Sequence, residues 1–191
     1  DMGVILKGIE GQWLQTGAKN YFQYIQNQID FFVNEDGSIK TYKQDEYNID
    51  NINNGRVLLM LYKVTQKEKY LKAAKLLREQ LSQQPRTKEG GFWHKKIYPN
   101  QMWLDGLYMA EPFYAEYASM SHDDSAFDDI ANQFIWIENH CRNKNTGLLY
   151  HGWDESKTEK WSNKNTGCSS ESWARAMGWL DRKSTRLNSS H

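Results

Sequence analysis

Two aspartates of the 191-residue chain lie directly before predicted helices. Asp50 belongs to the run NIDN at residues 48–51, and Asp105 belongs to the run WLDG at residues 103–106. A carboxylic acid in such a place can act as a general acid and, once ionised, as a general base. The same positions favour helix capping, which explains an aspartate without any chemistry. Both interpretations fit the sequence.

Histidines, cations and tryptophans occur in neighbouring segments of the chain. They are His94, Lys95 and Trp103 before the Asp105 helix, and His151, Trp173, Arg175 and Trp179 further along. Tryptophan faces can stack on sugar rings, and a lysine, arginine or histidine can hold a carboxylate. Each residue also has an ordinary explanation, as a satisfied loop histidine, a solvated helix charge or a core tryptophan.

Helical periodicity predicts three helical hairpins that would position these residues. The predicted helices cover residues 3–16, 19–33, 54–64, 67–83, 105–120 and 125–141, and a seventh begins near residue 172 and loses its pattern after residue 180. Gly3, Gly55 and Gly106 open the first helix of each hairpin and are 51 or 52 residues apart, which indicates an internal repeat. The first helix of each pair is the more apolar and is expected inside.

The repeat predicts an all-α fold. Six such hairpins would close into an (α/α)6 toroid of about 300 residues, so the chain would supply roughly half of a ring. A longer stretch, residues 143–170, is inserted before the fourth hairpin, and inserted loops of repeat proteins tend to lie on the binding face. Because the loops that enter the inner helices open at one end, we expect the two aspartates and the residues around them to share one mouth.

Composition excludes several other classes of protein. The chain has 24 Lys+Arg and 24 Asp+Glu, so it lacks the basic field that holds nucleic acid. No apolar run approaches the roughly 20 residues needed to span a bilayer. Cys141 and Cys168 have neither metal-ligand nor disulfide-framework spacing, which predicts two reduced thiols. No metal or nucleotide motif is present, so no cofactor is expected.

The two ends of the chain carry separate expectations. Residues 1–180 are predicted to form part of one domain, whereas residues 181–191 are polar and without period and are expected to be a non-native tail. The N-terminus shows no signal-peptide pattern, which favours a cytoplasmic protein and leaves a periplasmic parent open. The oligomeric state is not predicted.

Three blocks of the sequence are distinctive: GGFWHKKIYPNQMWLDGLYMAEPFYAEYA at residues 90–118, HGWDESK at 151–157 and SESWARAMGW at 170–179. Together they resemble glycoside hydrolase family 105, the unsaturated rhamnogalacturonyl hydrolases. The resemblance extends from Gly3 to about Trp179, and it implies an (α/α)6 toroid. It also implies hydration of the 4,5-double bond of a terminal unsaturated galacturonic acid, which releases that sugar from rhamnose in pectin-derived oligosaccharides.

The resemblance also implies roles for individual residues. Asp105 matches the general acid and base, which protonates C4 before water adds at C5 and the hemiketal opens. Asp50 matches a second active-site aspartate, and the substrate-pocket positions are His94, Lys95, Trp103, His151, Trp173, Arg175 and Trp179. A neighbouring carboxylate and an apolar indole wall would both favour the protonated form of Asp105.

Three alternatives remain open at the level of sequence. The first is an unsaturated glucuronyl hydrolase that acts on glycosaminoglycan-type fragments. The second is an inactive helical-repeat carbohydrate-binding protein in which Asp105 is only a helix cap. The third is an inverting glycosidase that uses two carboxylates on a saturated substrate. In every case half a ring would lack part of its subsite walls, so the chain as given is expected to be inactive.

Overall fold

The structure is a computed structural model that describes residues 2–187, the last six of them as backbone only. Within that range the α-helices are α1 (Met2–Thr16), α2 (Lys19–Phe32), α3 (Gly55–Thr65), α4 (Glu68–Gln83), α5 (Leu104–Ser121), α6 (Ala126–Cys141) and α7 (Ala174–Leu187). Two short strands, β1 (Gln101–Trp103) and β2 (Gly152–Asp154), form one antiparallel ribbon. Short 3₁₀ helices cover Gln44–Glu46 and Ile49–Asn54.

The helices pair in the order that the repeat predicts, so the predicted all-α hairpin fold is confirmed. Helices α1, α3 and α5 each pack against the next helix in the chain, and α1, α3, α5 and α7 also contact one another in succession. The inner helix α5 is buried from Gly106 through Tyr114 without interruption. The close approach of α3 and α5 depends on Gly55, because a Cβ there would lie 2.3 Å from the Phe113 ring.

The chain makes a short β-bridge after each outer helix, a feature that periodicity does not predict. The bridges join Val33 to Ile39, Arg86 to Phe92, and Arg142 to Leu149. The sequence NKNTG occurs twice, at residues 143–147 and 163–167, and folds the same way each time. In both copies the Oδ1 atom of the first asparagine, Asn143 or Asn163, accepts hydrogen bonds from the N–H groups two and three residues later. The first of these turns follows the outer helix α6, and the second lies in the loop between β2 and α7.

The predicted end of the last helical pattern at Leu180 is wrong. Helix α7 continues to Leu187, because the intervening residues include no glycine or proline to end it. Residues 188–191 of the predicted tail lie outside the described residues. Among the helices of residues 2–187, none has the length and apolar character needed to cross a membrane.

Candidate active site

Asp105 lies in the first turn of α5, beside His151. The N-cap of α5 is Trp103, whose backbone is extended, so Asp105 is the second residue of the helix and not its cap. Its Oδ2 atom lies 3.5 Å from Nδ1 of His151. Among the described residues this buried oxygen has no hydrogen-bond partner. The cap interpretation of Asp105 therefore does not match the geometry of α5.

The His151 imidazole is held in its neutral form. Burial lowers the pKa of His151, the Asp105 carboxylate acts in the opposite direction, and the neighbouring His94 and Arg175 lower it further. The backbone fixes this pair, because the Leu104 N–H donates to the His151 carbonyl at 3.0 Å. Asp105 thus faces a neutral ring that can exchange a proton with it.

Asp50 has a different environment, in which a lysine and a histidine contact its carboxylate. It lies in the 3₁₀ helix Ile49–Asn54, where the Asn48 side chain is the cap and accepts the Asp50 N–H at 3.0 Å. Its carboxylate is 2.8 Å from Lys95 Nζ and 3.4 Å from His94 Nε2. Burial raises the pKa of Asp50, but the contacts with His94 and Lys95 outweigh burial and hold the pKa well below its usual range. Asp50 is therefore ionised and paired.

Trp103 forms the wall between the two aspartates. Its indole stacks on His94 with 4.5 Å between ring centroids and on Tyr98 with 4.9 Å, and it lies 5.6 Å from the His151 ring. Its Nε1–H donates to Gln101 Oε1 at 3.1 Å. Tyr98 and Gln101 were not predicted as site residues. For Gln101 the available signal was its spacing of two from Trp103, which places both on one face of a strand.

Trp173 and Arg175 extend the site toward solvent. The Trp173 ring meets His151 edge-on at 5.0 Å, and the Arg175 guanidinium lies 3.8 Å from the centre of the Trp173 ring. Trp179 lies elsewhere: its indole packs on Tyr108 at 4.4 Å and is partly buried against the main core. The structure therefore brings eight of the nine predicted site residues into one cluster and places Trp179 on the neighbouring core.

Backbone hydrogen bonds tie the segments of this cluster together. Ile49 N–H donates to the His94 carbonyl at 3.1 Å, and His94 N–H donates to the Gln101 carbonyl at 2.8 Å. The ribbon then pairs Trp103 with Gly152, next to His151. The loops that enter three inner helices are thus joined by main-chain contacts, which position their side chains.

Cys141 and Cys168 are free thiols, both buried in the smaller core beside β2. Within the part of the chain that the structure describes, no group of three or more His, Cys, Asp or Glu side chains is arranged to hold a metal ion.

The sequence of the chain matches a known protein family and a characterised relative. Residues 1–182 match the sequence model of Glycosyl Hydrolase Family 88. The Unsaturated rhamnogalacturonyl hydrolase YesR of Bacillus subtilis is 30% identical over 183 residues, which are 93% of this chain and 49% of YesR.

Two solved structures extend the comparison to the fold. A Clostridium acetobutylicum glycoside hydrolase from family 105 superposes with a TM-score of 0.91 at 53% identity, over 93% of this chain and 49% of its own. A Salmonella enterica protein described as a possible family 105 member has a TM-score of 0.77 at 25% identity, over 93% of this chain and 44% of its own. The chain thus spans about half the length of these relatives.

Proposed function

The chain belongs to the glycoside hydrolases of families 88 and 105. We propose that the protein is an unsaturated rhamnogalacturonyl hydrolase. Its substrate is an oligosaccharide with a 4,5-unsaturated galacturonic acid at the non-reducing end, linked to rhamnose. The name of the B. subtilis relative supports this substrate class.

The observation that carries the proposal is the environment of Asp105. A general acid needs a position where its proton is not already committed to another group, and Asp105 Oδ2 is buried with no hydrogen-bond partner among the described residues. The neutral imidazole of His151 lies 3.5 Å from this oxygen, and the Trp103 indole lies beside that imidazole. These contacts suit a carboxyl group that gives up a proton and later takes one back.

The reaction then proceeds in balanced steps. Asp105 donates its proton to C4, and the cation that forms at C5 is stabilised by the ring oxygen. Water adds at C5, and its proton passes to the Asp105 carboxylate. The hemiketal opens to a 5-keto group, the anomeric carbon becomes an aldehyde, and the rhamnose leaves as an alcohol. One water molecule is consumed and Asp105 is regenerated.

The remaining residues bind the uronate and shape the pocket. Arg175 presents an exposed guanidinium on the face of Trp173, which fits a bidentate contact with the uronate carboxylate. Lys95 and His94 are paired with Asp50, so we assign them the task of holding that carboxylate at the mouth. Trp103 supplies the apolar face against which a sugar ring packs.

We further propose that the 191-residue chain alone does not turn over substrate, because relatives of the same fold are about twice as long. The test joins residues 1–180 to the second half of the C. acetobutylicum family 105 protein and compares this fused protein with the chain alone. The assay follows loss of the absorbance of the 4,5-double bond. We expect turnover of unsaturated galacturonyl-rhamnose by the fused protein only.

Substrate competition in the same assay separates the alternatives. Preference for an unsaturated chondroitin disaccharide would assign the protein to glucuronyl substrates. Cleavage of saturated galacturonyl-rhamnose would indicate an ordinary glycosidase. No turnover of any of the three, by a fused protein that folds and binds them, would leave a carbohydrate-binding protein and refute the proposal.

A further inference from the structure

Trp161 is an exposed tryptophan beside the candidate active site that has no part in the proposed chemistry. It lies in the loop after β2, and its side chain is 37% exposed. A single exposed aromatic residue is common on protein surfaces and needs no special explanation. Trp161 is different for three reasons: it lies beside the site, its loop is fixed by hydrogen bonds, and Trp103 is its neighbour on the ribbon.

The ring of Trp161 lies on the same face of the ribbon as Trp103. Trp103 pairs directly with Gly152, and residues that are opposite one another in an antiparallel ribbon project to the same side. A Cβ added at Gly152 would lie 3.2 Å from Cδ1 of Trp103 and 3.6 Å from Cη2 of Trp161. Because Gly152 has no side chain, both indoles can approach its backbone, next to His151 in the sequence.

The loop that carries Trp161 is held rigidly by Asp154. This aspartate is completely buried, and it accepts hydrogen bonds from the backbone of Ser156, Thr158 and Glu159. The hydroxyl of Ser162, next to Trp161, also donates to it at 3.2 Å. Burial raises the pKa of Asp154, but these donors outweigh it and keep the carboxylate ionised.

A lysine closes the same loop from its other side. The ammonium of Lys164 donates to the carbonyls of Lys157, Thr158 and Glu159 at 2.9 to 3.1 Å. Backbone donors and acceptors of the loop are thus both satisfied by side chains of the loop itself. An aromatic ring on a preorganised loop loses little conformational entropy when it binds a ligand.

We propose that Trp161 is the stacking platform for the saturated sugar that the reaction releases. Asp105, His151 and Trp103 surround the uronate, and the partly exposed Trp161 ring adds a second indole beside Trp103 at Gly152. The occupant is a pyranose ring without negative charge, which presents C–H groups to the indole face. This inference rests on the proposed function and extends it to the other half of the disaccharide.

The test measures binding rather than turnover, on the 191-residue chain. All variants carry Asp105→Asn so that no ligand is consumed. Two ligands are titrated by calorimetry: unsaturated galacturonyl-rhamnose, and the methyl glycoside of unsaturated galacturonic acid, which lacks the second sugar. Trp161→Ala should weaken binding of the disaccharide about fivefold to tenfold, the size of one aromatic contact, and leave the methyl glycoside unchanged.

Two controls keep the result specific. Trp161→Phe retains a ring and should recover most of the lost affinity, and Tyr24→Ala removes an exposed aromatic side chain from α2 with no effect on either ligand. Far-ultraviolet circular dichroism checks that each variant is folded. Equal weakening of both ligands, no weakening of either, or no binding to the parent chain would overturn the assignment. Failure of the fused protein to hydrate the double bond would refute the proposed function alone, because binding is measured separately.

Discussion

The two aspartates lie in successive repeats, each near the start of an inner helix, and yet have opposite environments. Each lies where the chain enters an inner helix, α3 for Asp50 and α5 for Asp105. Asp50 is paired with Lys95 and His94, which lower its pKa, whereas Asp105 faces a neutral histidine and aromatic rings. The loop that packs beside each carboxylate therefore decides what that carboxylate can do.

The largest effect should come from removing each carboxylate in turn. Asp105→Asn in the fused protein keeps the size of the side chain and removes the transferable proton, so we expect kcat to fall about 10³-fold with little change in KM. Asp50→Asn removes the counter-charge of Lys95 and should change KM as well as kcat. Both are read from the absorbance assay. The comparison fails if Asp50→Asn gives the pure kcat effect and Asp105→Asn does not.

The ion pair between Asp50 and Lys95 should contribute to the free energy of unfolding. Lys95→Met removes the cation, and because the pair is partly exposed we expect a loss of about 1 kcal/mol in the free energy of unfolding at pH 7, by urea titration. An aspartate with a lowered pKa in the folded state stabilises the protein above its unfolded pKa, near 3.9, and that contribution is lost as the pH falls through the folded pKa. The difference between parent and variant should therefore be constant down to about pH 4 and narrow below it.

Lys96→Met is the matched control for that experiment. Lys96 is the next residue along the chain, and its side chain is exposed. Its replacement should leave both the stability at pH 7 and the acid dependence nearly unchanged. If Lys95→Met and Lys96→Met lose the same amount, or if the loss persists unchanged at pH 2, the Asp50 pair does not contribute in the way its geometry indicates.

The environment of Asp105 can be tested by measuring the pKa of its neighbour His151. Its pKa should lie below the ordinary value near 6.5, because burial disfavours the charged ring. Asp105 raises that pKa, so Asp105→Asn should lower it further, measured from the pH dependence of the imidazole signals by NMR. Asp36→Asn, in the exposed turn after α2, serves as control and should have no effect. A His151 pKa that rises in Asp105→Asn would show that the two groups are not coupled as described.

The helices could be predicted closely and the site only in part, for a physical reason. Helix α4 was predicted to begin at Lys67 and begins at Glu68, because sixteen residues of apolar periodicity determine a helix well. A strand of three residues such as β1 has no measurable period, so the ribbon that aligns Trp103 with Gly152 was not anticipated. Trp179 was assigned to the pocket by resemblance, whereas its ring packs on Tyr108.

The smallest predicted effect concerns the contact that orients the wall between the two aspartates. Gln101 is 2% exposed and accepts the Trp103 Nε1–H at 3.1 Å, so Gln101→Leu leaves that donor without its acceptor while the stacking on His94 and Tyr98 remains. A net hydrogen bond of this kind contributes about 1 kcal/mol to the free energy of unfolding.

A double-mutant cycle with Trp103→Phe isolates this contribution, because phenylalanine keeps a ring in the stack and removes the donor. We expect a coupling energy between 0.5 and 1.5 kcal/mol, on the order of one hydrogen bond, by urea unfolding. Additive losses in the double variant would mean that stacking alone orients Trp103. In that case both aspartates would depend on ring packing for their separation, and Gln101 would be only a core residue.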